Sequence, residues 1–156
     1  MTKLNANMDM LLRIMKMIEG ESIKWALCGS TSLAFQGVDV PVNDIDIFTD
    51  KNGSDRFHEI LKRYCVQEPT LETATDVYRS YYGIYLVDGV DVDVCGEFQY
   101  KAKDGKWSQP LLFDDVVYKD YNGVKIPVLS LERELADYEA IGRTDKADAI
   151  RRALIK

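Results

Sequence analysis

Apolar residues recur at helical spacing through Met8, Leu11, Leu12, Met15 and Ile18, and Gly20 supplies a stop, so the chain opens with an amphipathic helix. Ile23 to Cys28 is a short continuous apolar run, the mark of a strand buried on both faces. Gly29 and Ser30 end it, and Thr31 to Gln36 reads as a short helix closed by Gly37. Val38 to Asn43 is extended, with Pro41 excluding helix, and Asp44 to Phe48 alternates as a second strand. Asp50 to Ser54 reads as a turn and Asp55 to Tyr64 as a helix, whereas Cys65 to Thr75 carries no period and reads as loop. From Asp76 to Phe98 the period becomes two. Asp88-Gly89 is a tight-turn signal and Val90 to Val94 alternates strictly, which predicts a hairpin. Asp104-Gly105 marks another turn, and Val116–Tyr121, Asn122-Gly123 and Val124–Val128 predict a further hairpin. Ser130 caps a helix with Leu131, Leu135 and Tyr138 on its apolar stripe and Gly142 as its stop. Thr144 caps a last helix that turns Ala147, Ile150 and Leu154 inward. These elements predict an α+β fold, a mixed β-sheet with helices packed on it. One domain over 1–156 is expected, with a core at 21–98 and a closing hairpin and helices at 111–156.

Composition narrows the classes. The 156 residues carry a net charge of −6, which argues against broad duplex DNA binding, a function that calls for a basic surface. The start MTKLNANMDM lacks the long apolar region of a leader, and no run reaches membrane-spanning length, so no membrane partner and a cytoplasmic location are expected. Cys28, Cys65 and Cys95 are odd in number and lack metal-ligand spacing; they read as reduced thiols. His58, the single histidine, lies on a helix face beside Glu59 and reads as a surface residue.

The candidate chemistry lies between Trp25 and Thr49. On a strand, Asp44 and Asp46 project together while Ile45 and Ile47 enter the opposite layer. Two adjacent carboxylates repel unless something positive lies between them, and a divalent metal is the usual answer. Gly29-Ser30, separated from Asp44 by thirteen residues, stands between a strand and a helix, where unpaired amides and a hydroxyl suit a phosphate. The later strand VDVDV brings Asp91 and Asp93 to one face. Three carboxylates on one sheet face could bind two Mg²⁺ ions shared with substrate phosphates.

Leu27-Cys28-Gly29-Ser30, the spacer, and Asp44-Ile45-Asp46-Ile47 resemble the signature of the nucleotidyltransferase superfamily of the DNA polymerase β type. Val92-Asp93-Val94 is similar to that family's third carboxylate strand, and the tail from Pro127 through Lys146 resembles the closing helices of small stand-alone prokaryotic members. The resemblance implies a nucleotidyltransferase-like fold. It also implies Mg²⁺-dependent transfer of a nucleoside monophosphate from an NTP, ATP foremost, to a hydroxyl acceptor with release of pyrophosphate. Gly29 and Ser30 would contact the triphosphate, Asp44 and Asp46 would ligate both metals, and Asp93, preferred to Asp91, would complete one site and act on the acceptor hydroxyl. Many relatives carry a basic residue just before the first aspartate. Here Val40-Pro41-Val42-Asn43 has none, which leaves Arg143 and Lys146, with Arg79 behind them, to meet phosphate charge. The acceptor could be a small molecule, a protein or an RNA end, and a homodimer or partner protein could complete the acceptor surface. The alternative is a non-catalytic nucleotide-binding or protein-partner module of the same fold, as in a two-component toxin–antitoxin-like system.

Overall fold

A computed structural model describes residues 2–72, 76–111 and 113–155. The elements run α1 (Lys3–Met17), β1 (Trp25–Cys28), α2 (Gly29–Phe35), β2 (Ile45–Thr49), α3 (Lys51–Leu61), a 3-10 turn at Lys62–Tyr64, β3 (Cys65–Glu72), β4 (Tyr78–Val87), β5 (Val90–Tyr100), β6 (Val116–Tyr121), β7 (Val124–Leu129), α4 (Leu131–Ile141) and α5 (Thr144–Leu154). The strands form one sheet in the order β3-β4-β5-β2-β1-β7-β6. β2 pairs antiparallel with β1 and parallel with β5, β1 is parallel to β7, and the outer pairs are antiparallel hairpins. The mixed α+β sheet expected from the pattern is the fold observed.

Alternation along the central strands decides which face is which. Ile45, Ile47, Val92 and Val94 are fully or almost fully buried against Met8, Leu11 and Ile14 of α1 and Phe57 and Leu61 of α3. Each such aliphatic side chain contributes roughly 1.5–3 kcal/mol by leaving water. A one-residue slip of β2 would exchange Ile45 and Ile47 for aspartates, so this burial fixes the register. The opposite face is capped by the closing helices. Leu33 and Val38 meet Ala149 and Ile150 there, with Leu131, Leu135 and Tyr138 packed around them. The hairpin turns behave as their sequences predict: Asp88-Gly89 and Asn122-Gly123 both take positive φ at their two central residues, as a type I′ turn requires.

Four expectations shift. Cys65–Glu72 is an edge strand paired with β4, not loop; its register breaks twice, and Val66 and Leu71 stay exposed, so no alternation was present to be read. Residues 73–75, the end of that predicted loop, lie outside the described residues. The turn at Asp50–Ser54 is the first turn of α3, capped by Asp50, whose Oδ1 accepts the Gly53 N–H at 2.7 Å. α5 begins at Thr144 with Arg143 in the cap position and no side-chain cap bond, and it buries Ala147 and Ile150 but leaves Leu154 exposed, whereas Ser130 caps α4 as expected. His58 is half-buried rather than a free surface residue, with Nδ1 3.0 Å from the Tyr85 hydroxyl.

Candidate active site

One rung of acid crosses β2 and β5: Asp46 stands directly opposite Asp93, with Asp44 and Asp91 each two residues ahead along the chain. Asp44 itself precedes β2, which begins at Ile45. Its segment is fixed by a buried polar chain. The Ser30 hydroxyl accepts the Asn43 N–H at 2.9 Å, Thr31 Oγ1 donates to the Asp44 carbonyl at 2.8 Å, and Asn7 Nδ2 donates to both Thr31 Oγ1 and the Asn43 carbonyl. Ser30 is therefore committed to the approach to Asp44, and its hydroxyl is buried.

Gly29 joins β1 to α2 with φ +72°, and the place where a side chain would begin is filled by the Asp46 carboxylate. A Gly29→Ala variant meets both a left-handed backbone penalty and this collision. It is expected to lower the melting temperature by about 5 °C or more and to displace Asp46, read by thermal unfolding and a crystal structure of the variant. An unchanged melting temperature would contradict the close approach.

The acids carry the signature of a crowded, desolvated cluster. Burial, then the charges of Asp93 and Asp44, push the Asp46 carboxyl up to about 8, against a smaller pull from Lys146. Burial raises Asp93 to about 6 even though the Tyr82 hydroxyl donates to its Oδ2 at 2.8 Å. Asp44 is raised by burial and by Asp91, with Lys3 opposing. Cys28 and Cys95 lie beside these acids as free thiols, and burial first and the acids next push both thiols well up, so they stay protonated.

Asp46 and Asp93 open into a cavity of about 390 Å³ lined also by Gly29, Arg143 and Arg79. Asp44, Asp91, Ser30 and Lys146 are not part of its lining. Arg143 is paired with its neighbour Asp145, and Arg79 stacks over the Trp107 ring at 4.4 Å while donating to Gln99. Lys146 acts electrostatically on Asp46 and on Glu134. Periodicity alone left several lining residues unmarked. Glu134 and Asp137 of α4 were hidden in an ordinary amphipathic helix, although an acid adjoining the Leu135 stripe was a signal available in the sequence. Phe48, Tyr78, Phe98, Tyr100 and Tyr138 form an aromatic wall in which Phe48 and Phe98 stack at 4.6 Å.

The donor set suits a hard cation: carboxylate oxygens on adjacent strands, with the nearby thiols held protonated. Among the described residues no three Asp, Glu, Cys or His side chains converge closely enough, as they stand, to enclose a metal ion. What they present is the Asp46–Asp93 pair, whose raised carboxyls report repulsion and desolvation that a divalent cation would relieve.

A seven-stranded mixed sheet that sets the Gly29 turn against Asp46, and Asp46 opposite Asp93, is the frame of a small nucleotidyltransferase-like protein. The chain belongs to the aminoglycoside-2''-adenylyltransferase family, which matches residues 10–153. A crystal structure of a protein provisionally named a nucleotidyltransferase, from Thermotoga maritima, is 32% identical, with a TM-score of 0.81 over 99% of this chain and 95% of that one. The lincosamide antibiotic adenylyltransferase LnuA, lincomycin-bound, superposes with a TM-score of 0.59 at 14% identity, over 92% of this chain and 95% of that one. ANT(2'')-Ia in complex with adenylyl-2''-tobramycin does so at 0.56 and 8% identity, over 96% of this chain and 90% of that one. The last two show a shared fold alone. No curated protein matches the chain. Among the described residues no helix is long and apolar enough to cross a membrane.

Proposed function

We propose that this protein is a Mg²⁺-dependent adenylyltransferase that moves AMP from ATP to a hydroxyl of a small-molecule acceptor and releases pyrophosphate. The observation that carries the reading is the Asp46–Asp93 rung at the cavity wall, with the Gly29 turn pressed onto Asp46. Asp46 and Asp93 would hold the metal, with Asp44 joining from the end of its tethered segment. The bound Mg²⁺ would supply charge neutralisation for the triphosphate and acidify the attacking hydroxyl. The chain's own part is positional. Ser30, Thr31 and Asn7 hold Asp44 in place, and Tyr82 orients Asp93. Arg143 at the cavity and Lys146, whose charge reaches Asp46, would meet phosphate charge, in place of the basic residue missing before Asp44. Asp93 is the carboxylate best placed to orient the acceptor hydroxyl, because it lines the cavity while Asp91 is exposed.

The cavity chemistry bears on the acceptor. Asp46 and Asp93 beside aromatic rings favour a hydroxyl compound that also carries amines. The ligands of the two antibiotic adenylyltransferases named above, lincomycin and an adenylylated tobramycin, are small molecules, which supports that size class.

The test is thermal unfolding with ATP, with and without Mg²⁺. A ligand at 100 times its dissociation constant stabilises the native state by about 2.7 kcal/mol. A rise in melting temperature that requires Mg²⁺ is expected, followed by transfer of labelled AMP to amine-bearing hydroxyl compounds. No shift with any NTP would sink the enzyme reading, and a shift without any transfer would favour the nucleotide-binding module instead.

A further inference from the structure

Glu134 sits in the first turn of α4 and is 4% exposed. Its Oε1 accepts the Gly29 N–H at 3.1 Å. Its Oε2 is buried and has no hydrogen-bond partner among the described residues. Glutamate is almost never fully buried unless paired, and half of this carboxyl is not satisfied. An apolar residue here would extend the stripe of Leu131, Leu135 and Tyr138 without that cost. Local rules of this kind are broken chiefly where function requires it.

The contact runs into the candidate site. The turn at Gly29 needs a left-handed backbone, and the Asp46 carboxylate fills the space where a Gly29 side chain would begin. Glu134 holds the amide of the same residue. The closing helix thus grips the turn from one side and Asp46 rests on it from the other. The positive charge of Lys146 on α5 acts on both carboxyls.

We propose that Glu134 is a positioning residue: through the Gly29 N–H it fixes the turn against which the Asp46 carboxylate is placed, and so couples α4 to the rung that would hold the metal. The inference rests on the nucleotidyl-transfer reading for the role of Asp46, although the contact itself can be tested without it. A glutamine at 134 keeps an oxygen for the Gly29 N–H; an alanine does not.

The experiment compares wild type, Glu134→Gln and Glu134→Ala. In Glu134→Ala, amide exchange at Gly29 is expected to accelerate about tenfold or more while Leu27 and Ile47 keep their protection. The crystal structure of that variant should show the Gly29 turn relaxed and the Asp46 carboxylate moved, and that of Glu134→Gln neither. MgATP should bind Glu134→Ala about tenfold more weakly and Glu134→Gln within about threefold of wild type. In an Asp46→Ala background Glu134→Ala should add little further loss, since the two act in series. Unchanged Gly29 exchange, an unmoved Asp46, or equal weakening of MgATP binding by the glutamine would overturn the proposal. Absence of MgATP binding by the wild type would instead overturn the nucleotidyl-transfer reading, leaving exchange and crystallography to decide the positioning role.

Discussion

Asp46→Ala is expected to lower AMP transfer by at least about 10³-fold and to abolish the Mg²⁺-dependent part of ATP binding. Asp46 is the point where three parts of the fold meet. It lies opposite Cys28 on β1 and Asp93 on β5, and its carboxylate packs against Gly29. Removing it takes away one of two acids that face each other across the strands, and would leave Asp93 without its partner for the proposed cation. Asp91→Ala is the internal control. Asp91 is exposed and outside the cavity lining, so its variant should stay within about fivefold of wild type, the range of a surface charge acting through solvent. The measurement is pyrophosphate release from ATP across a panel of amine-bearing hydroxyl compounds, with calorimetric titration of MgATP alongside. Activity of Asp46→Ala within tenfold of wild type would remove the carboxylate rung from the mechanism, and a greater loss in Asp91→Ala would reassign the third acid.

The second large effect is on stability. Without bound metal the protein should lose stability as pH rises from about 4 to about 8. Asp46 and Glu134 ionise near 8 in the folded chain, and Asp93 near 6, all above their ordinary values. A carboxyl raised on folding makes the native state hold more protons than the unfolded chain between the two values. Its stabilising contribution is complete below the unfolded value, near 4, and is lost as pH climbs through the folded one. Burial is the largest cause for each group, and mutual repulsion adds to it for Asp46. A tenfold gain in a carboxyl's proton affinity on folding corresponds to about 1.4 kcal/mol, so three acids raised this far make the loss large on the scale of a domain's stability. Asp46→Asn keeps the shape and removes the charge. It should raise the melting temperature by about 5 °C or more at pH 8, with the difference vanishing near pH 4. Millimolar Mg²⁺ should flatten the wild-type profile above pH 7, because a cation favours the ionised acids. Thermal unfolding across pH 4–8 decides the matter; a wild type that gains stability over that interval would show that these acids are not desolvated as placed.

Much of this site was legible along the chain because its signals are local. Asp44-Ile45-Asp46 and Val92-Asp93-Val94 alternate on single strands, and period-two alternation fixes which side chains share a face before any partner strand is known. Gly29 ends an apolar run, and a residue free to adopt positive φ was needed there. The extended edge strand at Cys65–Glu72 was not legible. An edge strand with exposed Val66 and Leu71 and a broken register has one neighbour and little burial, so hydrophobic alternation has no cause to appear. The start of α3 was missed for a different reason: Asp50 caps a turn whose residues, Lys51-Asn52-Gly53-Ser54, have the composition of a loop.

The sequence by itself determined the strand faces and the hairpin turns, which depend on residues within a few positions of one another, and the likeness of Gly29, Asp44, Asp46 and Asp93 to a nucleotidyltransferase site, which rests on short motifs each local to one strand or turn. Tertiary structure alone decided which acids meet. The parallel pairing of β2 with β5 set Asp46 opposite Asp93 and left Asp91 exposed, a choice made by burying Ile45, Ile47, Val92 and Val94 on the other face. It also withdrew the Ser30 hydroxyl into the fold, and it brought Glu134 across 105 residues onto the Gly29 amide, a contact with no local signal because it exists only when α4 closes over the sheet.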